Sequence, residues 1–109
     1  MMCDMDEALA HDIAELRSWA VATLIIRRLW IFGSRARGND SPESDLDIAL
    51  ECDMRPGDEG EWLTADSICE EWEPQLQVRM RLKLDLRSSH VGAVANGLRE
   101  SSTKIYERT

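Results

Sequence analysis

The sequence predicts a small α/β domain, a mixed or mainly antiparallel sheet with helices packed on one face. Three observations predict it. The continuous apolar run Arg28-Leu29-Trp30-Ile31-Phe32 suits a strand buried on both faces. Strict alternation over Asp45–Glu51 and again over Leu76–Leu86 suits strands with one apolar and one polar face. Helical periodicities precede, separate and follow these runs, so the order is helix, strand, turn, strand, helix, strand, helix. A chain of 109 residues is expected to form one domain over 1–109, with no second substrate-binding lobe.

Each element has its own signature. Asp4 can cap the first helix, with Glu7 three residues on, as in a capping box. Met5, Leu9, Ile13, Leu16 and Ala20 recur at helical spacing, so this helix is amphipathic and runs to Val21 or Thr23. The first strand ends at Gly33-Ser34. Arg35-Ala36-Arg37 has room for one helical turn, which Gly38 can end in a left-handed conformation. Asn39 to Ser44, with Pro42, reads as a loop. Beyond it, Leu46, Ile48 and Leu50 point one way, and Asp45, Asp47 and Glu51 the other.

Trp62, Ala65, Cys69 and Trp72 repeat at three and four, predicting a second long helix over Glu61–Glu73. Their stripe is expected in the core, and Pro74 is expected to end the helix. Leu76–Leu86 is the clearest strand pattern in the chain. Leu76, Val78, Met80, Leu82, Leu84 and Leu86 form one face, and Gln77, Arg79, Arg81, Lys83 and Asp85 the other. Ser88 or Ser89 is expected to cap a helix reaching Arg99, with Val91, Val94, Ala95 and Leu98 inward. Lys104–Glu107 suits a last short strand.

Charge and composition exclude several classes. With 43% hydrophobic and 31% charged residues the chain is globular. Its 13 basic and 21 acidic residues leave a net charge of -8, so no direct nucleic-acid partner is expected. No apolar run reaches the ~18 residues of a membrane span. The acidic start Met1-Met2-Cys3-Asp4 is unlike a signal peptide. Cys3, Cys52 and Cys69 have no metal-ligand spacing and form an odd set, which points to a reducing cytoplasm and idle thiols. Glu51 to Glu73 holds nine acids and a single cation, Arg55. Such a run is first a solvated surface and second a face for a basic partner. Arg27, Arg28, Arg35 and Arg37, then Arg79, Arg81, Lys83 and Arg87, form two basic groups that leave room for a local anion site.

Chemistry concentrates on the polar sheet face. Asp45 and Asp47 stand two apart on a strand, so they point the same way, about 6.5–7 Å apart at the backbone. Their carboxylates can share hard divalent cations. Gly33 lets a phosphate approach the backbone, and Ser34 offers a hydroxyl and an amide to it. Gly33-Ser34, ten residues, then Asp45-Leu46-Asp47 is a pattern that chance produces in on the order of one chain in a thousand of this length. Asp85 is the only acid on the polar face of the third strand, although an ion pair with its basic neighbours would also account for it.

The segment Trp30-Ile31-Phe32-Gly33-Ser34-Arg35-Ala36-Arg37-Gly38, with Ser44-Asp45-Leu46-Asp47-Ile48, resembles the minimal nucleotidyltransferases of the DNA polymerase beta superfamily. Their pattern is Gly-Ser, ten residues, Asp-x-Asp, and a third acid on a later strand. Asp85, in Lys83-Leu84-Asp85-Leu86, falls where that acid is expected, while Gly38-Asn39-Asp40 departs from the more usual Gly-Asp. The resemblance implies a polymerase-beta-like nucleotidyltransferase fold and transfer of a nucleoside monophosphate, AMP from ATP, to a hydroxyl. It implies that Asp45, Asp47 and Asp85 are catalytic and hold two Mg²⁺ ions, that Gly33 and Ser34 cradle the outer phosphates, and that Arg35 and Arg37 steady phosphate charge. Family members of this length often act as the antitoxin of a pair and add AMP to a tyrosine of a helical HEPN-domain toxin, so a HEPN toxin is the implied partner.

Two other readings stand beside this one. A contact-only module would neutralise a partner without chemistry, and has no use for three acids. A stand-alone enzyme acting on small molecules would want a second domain. His11 and His90 lack partners at ligand spacing, and Tyr106 reads as a partly buried terminal aromatic.

Overall fold

The computed structural model describes residues 4–37 and 44–108, in which four helices and four strands alternate. They are α1 (Asp4–Ala22), β1 (Ile26–Phe32), α2 (Ser34–Arg37), β2 (Leu46–Cys52), α3 (Glu61–Gln77), β3 (Leu84–Ser88), α4 (Gly92–Glu100) and β4 (Ser102–Glu107). The strands lie in the order β3-β2-β1-β4. β1 pairs antiparallel with both β2 and β4, and β2 pairs parallel with β3. The parallel pair follows from α3, a crossover long enough to return the chain to the same end of the sheet. The sheet is therefore mixed, one of the two arrangements that the sequence leaves open.

The core fills the space between the sheet and helices α1 and α3. Leu16, Trp19 and Ala20 come from α1, and Ala65, Ile68 and Leu76 from α3. They meet Leu29 and Ile31 of β1, Ile48 and Leu50 of β2, Leu86 of β3 and Ile105 of β4. The rings of Trp19 and Trp72 lie 5.8 Å apart, tilted at 53°, and join the two helices. α4 reaches the other side of β1, where Gly97 lies against the Phe32 ring. Cys52 and Cys69 are buried free thiols, and burial pushes them up to about 11 and about 12, so neither is a ready nucleophile. Among the described residues no helix is long and apolar enough to cross a membrane.

Several elements depart from the sequence pattern, each for a tertiary reason. α3 continues through Pro74 to Gln77 rather than ending there. Its last turn is anchored by the fully buried Leu76 and by Gln77, whose amide donates to the Leu82 carbonyl at 2.9 Å and whose Oε1 accepts the Leu84 N–H at 2.7 Å. These contacts offset the hydrogen bond that proline removes. The strand expected over Leu76–Leu86 is accordingly confined to Leu84–Ser88. The residues ahead of it turn and bend across α1, where the buried Asp12 carboxylate accepts the N–H groups of Arg81 and Leu82, each at 2.9 Å. Val78 stands 87% exposed, so the alternating face is broken there, while Met80 and Leu82 pack against the core without joining the strand.

Trp62 is also outside the core, 49% exposed, and the buried stripe is completed instead by Thr64, Ile68 and Leu76. The N-cap of α4 is Val91, which makes no side-chain cap. Ser88 ends β3, and its hydroxyl oxygen accepts the His90 N–H at 3.2 Å, so it closes the turn rather than the helix. The Asp4 side chain, expected as a cap, and Gly38, expected as a stop, lie outside what the structure describes.

Candidate active site

The site is built where β1, β2 and β3 end side by side. β1 runs out at Phe32, and Gly33 turns the chain at φ +74°, the left-handed region that glycine enters most easily. The one-turn helix α2 follows, closed by an Ala36 N–H to Gly33 carbonyl bond of 3.1 Å. Asp47 is the second residue of β2, directly opposite Phe32. On its other side it is in parallel register with Asp85 of β3. Asp45 lies one residue before β2 and projects to the same face as Asp47. Carboxylate oxygens of Asp45, Asp47 and Asp85 all lie within 4.8 Å of one another, and the three side chains are half-buried.

This proximity leaves an electrostatic signature. Burial is the largest influence on Asp47, followed by the negative charges of Asp85 and Asp45 and a hydrogen bond with the Asp85 carboxyl, and together they push its carboxyl up to about 6. Arg87 opposes the shift. Its Nε donates to both Asp85 oxygens, at 3.0 and 3.2 Å, so this guanidinium holds Asp85 in place. The ion pair that the basic strand face suggested therefore exists, and it coexists with the acid cluster. The sequence named Arg87 only as one of four basic neighbours of Asp85, and its spacing two residues after Asp85 puts both on one face.

Gly33 serves the site in a second way. A Cβ at this position would fall inside the contact radius of Asp47 Oδ2 and lie 3.3 Å from Asp47 Cγ. Gly33→Ala is thus expected to strain the turn by about 1–2 kcal/mol and to push Asp47 out of the cluster. Calorimetric titration should then show Mg²⁺ binding weakened at least about tenfold. Unchanged binding would show that the Asp47 carboxylate can move aside freely.

The remaining expected residues are placed unequally. Ser34 is half-buried beside Gly33, at the start of α2. Arg35 is only 8% exposed, and its guanidinium donates to the Ser44 carbonyl at 2.7 Å, which braces the backbone just before Asp45. The Arg37 side chain lies outside the described residues. His11 Nδ1 lies 2.8 Å from the Asp12 carboxylate, and Tyr106 is half-buried on β4 opposite Leu29, so neither joins the cluster.

Comparison with known proteins bears on the fold and the family. No curated protein matches the chain. Solved structures share its fold. A toxin–antitoxin pair crystallised with AMP-PNP is 13% identical with a TM-score of 0.55, covering 89% of this chain and 74% of that one. A mutant of the toxin–antitoxin pair MntA-HpeT is 14% identical with a TM-score of 0.61, covering 88% and 72%. A Sulfolobus solfataricus protein assigned as a nucleotidyltransferase is 17% identical with a TM-score of 0.53, covering 95% and 86%. At such identities the likeness is one of fold. The family model for polymerase beta nucleotidyltransferases matches residues 15–109, a span that takes in all four strands and every acid of the cluster. This chain is a member of the polymerase beta nucleotidyltransferase family.

Proposed function

We propose that this protein transfers AMP from ATP to a hydroxyl of a partner protein, as the cytoplasmic antitoxin of a pair whose toxin is a HEPN-domain protein. The observation that carries the chemistry is the gathering of Asp45, Asp47 and Asp85 within 4.8 Å beside Gly33. Three carboxylates at that separation repel one another, so the cluster is costly without a cation. Oxygen-only donors of this charge fit Mg²⁺. Asp45, Asp47 and Asp85 would hold two such ions, which when bound neutralise the triphosphate and lower the barrier to attack at phosphorus.

The chain's own residues do the rest. Gly33 leaves the backbone open to the outer phosphates, and Ser34 offers them its hydroxyl and amide. Arg35 positions Asp45 through Ser44, and Arg37 is assigned to phosphate charge. As the acceptor oxygen bonds to the α-phosphorus, its proton passes to Asp85, the bond to the bridging oxygen breaks, and pyrophosphate leaves. A macromolecular acceptor is supported by the fold neighbours, which include toxin–antitoxin pairs, one of them with the ATP analogue AMP-PNP.

Labelled ATP supplied to the protein together with a co-produced HEPN toxin should mark the toxin with AMP. Asp85→Asn should abolish the mark while leaving co-purification intact. Transfer that survives this change would remove Asp85 from the mechanism. A wild-type protein whose melting temperature ignores Mg²⁺ with ATP would instead indicate a contact-only module.

A further inference from the structure

β3 is the outermost strand on its side of the sheet. Its Lys83 carbonyl accepts the Leu46 N–H, and the Ser89 N–H donates to the Leu50 carbonyl. Residues 83, 85, 87 and 89 therefore turn their backbone groups inward to β2, and the alternate residues turn theirs outward. The Leu84 N–H is taken by Gln77. Among the described residues no group meets the N–H or carbonyl of Leu86, which lies beside Asp85. The sheet thus keeps an open edge immediately next to the acid cluster.

A furrow follows that edge. One depression, of about 370 Å³, runs between α3 and the Asp85–Ser88 stretch. A second, of about 420 Å³, continues past Lys83 and Leu84. They lie side by side, with Glu70 and Glu73 lining both. The helical wall carries Asp66, Glu70 and Glu73, spaced as one face of α3. None of these three makes an ion pair among the described residues. Elsewhere in the acid-rich stretch, Glu51, Asp53, Asp58 and Glu61 are met by Arg28, Arg108, Arg55 and Arg27. Glu59 and Glu71 also lack such a cation among the described residues, but Asp66, Glu70 and Glu73 line a depression, beside Arg87 and Lys83.

We infer that the open edge of β3 binds the acceptor as an added strand, and that the acceptor is an extended protein segment whose hydroxyl residue lies between two basic residues. The inference rests on the nucleotidyltransferase reading and adds to it the chemistry of the acceptor. An unpaired edge captures an extended chain through its backbone groups. Side chains of such a strand alternate between the two sheet faces. A residue on the polar face opposite Asp85 stands about 5 Å from it, close enough for a tyrosine, serine or threonine hydroxyl to reach the carboxylate. The residues on either side of it then turn toward α3, where Asp66, Glu70 and Glu73 favour lysine or arginine. The acceptor thus enters at β3, while the phosphates occupy Gly33 and Ser34 on the far side of Asp47.

The test uses eight-residue peptides with a central tyrosine flanked by two lysines or by two glutamates, offered to the full chain with Mg²⁺ and labelled ATP. Binding is read by fluorescence polarisation and transfer by the label. The lysine-flanked peptide should bind and accept AMP at least tenfold better. Glu70→Lys combined with Glu73→Lys should reverse that preference while keeping the melting shift given by Mg²⁺ with ATP. N-methylation of the alternate peptide amides that would face β3 should weaken binding at least tenfold, and methylation of the intervening ones should not. Absence of binding by either peptide at millimolar concentration overturns the inference, as does binding that ignores the charge reversal or the methylation pattern. Self-association of the chain that the double change abolishes would also overturn it, in favour of a second copy at the edge. A missing Mg²⁺–ATP shift in the wild type would instead strike the enzymatic reading, and the polarisation assay would still report on the edge, so the two failures are distinct.

Discussion

Asp47→Asn is expected to abolish AMP transfer and, in the same molecule, to stabilise the free protein at neutral pH. Transfer should fall on the order of 10³-fold, because the change removes a carboxylate central to the cluster and its charge. The stability effect has the opposite sign. Asp47 is raised in the folded protein from 3.8 to about 6, mainly by burial and then by Asp85 and Asp45. Between those values the folded state holds a proton that the unfolded chain has released. Stability from this group is therefore complete below about pH 4, declines as pH rises through 6, and is absent at pH 7.5. After allowance for solvent screening the loss is on the order of 1–2 kcal/mol. Asparagine does not ionise, so the variant should lack this decline. Thermal melts of both proteins at pH 5 and pH 7.5 isolate the difference. Added Mg²⁺ competes with the proton, so its stabilising effect on the wild type should grow above pH 6 and vanish in the variant. A variant less stable than wild type at pH 7.5 without metal would refute the picture of three acids held together against their repulsion.

Asp12→Ala should be the most destabilising single change at a position remote from the chemistry. Asp12 is fully buried on α1, and it accepts the N–H groups of Arg81 and Leu82 as well as a 2.8 Å contact from His11 Nδ1. Alanine leaves both amides without an acceptor and detaches the lead-in to β3 from the helix. Arg79, paired with Glu15 of α1 at 2.8 Å, would remain the weaker, exposed tie. A loss of about 3 kcal/mol is expected, within the range for breaking a buried charged hydrogen-bond set. Against a total stability of about 5–15 kcal/mol this is severe, and it corresponds to a fall in Tm of roughly 12–20 °C. Asp12→Asn keeps one oxygen acceptor and should lie between. Since this tie fixes where β3 begins, and β3 carries Asp85, both variants should also weaken Mg²⁺ binding at temperatures where they remain folded. A loss under about 1 kcal/mol in the alanine variant would mean that water replaces the carboxylate.

Much of the site was legible in one dimension because its residues lie close together in the chain and on regular elements. Gly33, Ser34, Asp45 and Asp47 bracket a single strand-to-strand connection, so strand alternation alone puts both aspartates on one face. Arg35 was legible as a cation but not as a buried brace, because the partner that buries it is a backbone carbonyl, at Ser44, and carbonyls leave no trace in a sequence. Arg87 was legible as one of several possible ion-pair partners of Asp85 but not as part of the site, for a related reason. Its role depends on the acid beside it being drawn into a cluster, which is a fact about β2 as much as β3.

The third strand shows where pattern misleads. Six apolar residues alternate from Leu76 to Leu86, yet only the last two belong to the strand. Period two records which positions are apolar, not which of them find a neighbour. Asp12 and Gln77 claim the N–H groups of Arg81, Leu82 and Leu84 and the carbonyl of Leu82, so the ladder to β2 starts only at the Lys83 carbonyl.

From its sequence alone, then, this protein's order of helices and strands and the shared face of Asp45 and Asp47 were legible, because local periodicity and turn chemistry act over a few residues. Only the tertiary structure decided that Asp85 stands in register with Asp47, that Arg87 steadies it, and that the neighbouring edge stays open beside an acidic face of α3. Those facts depend on which strand lies next to which, and strand pairing joins residues 38 positions apart through backbone groups that every residue shares.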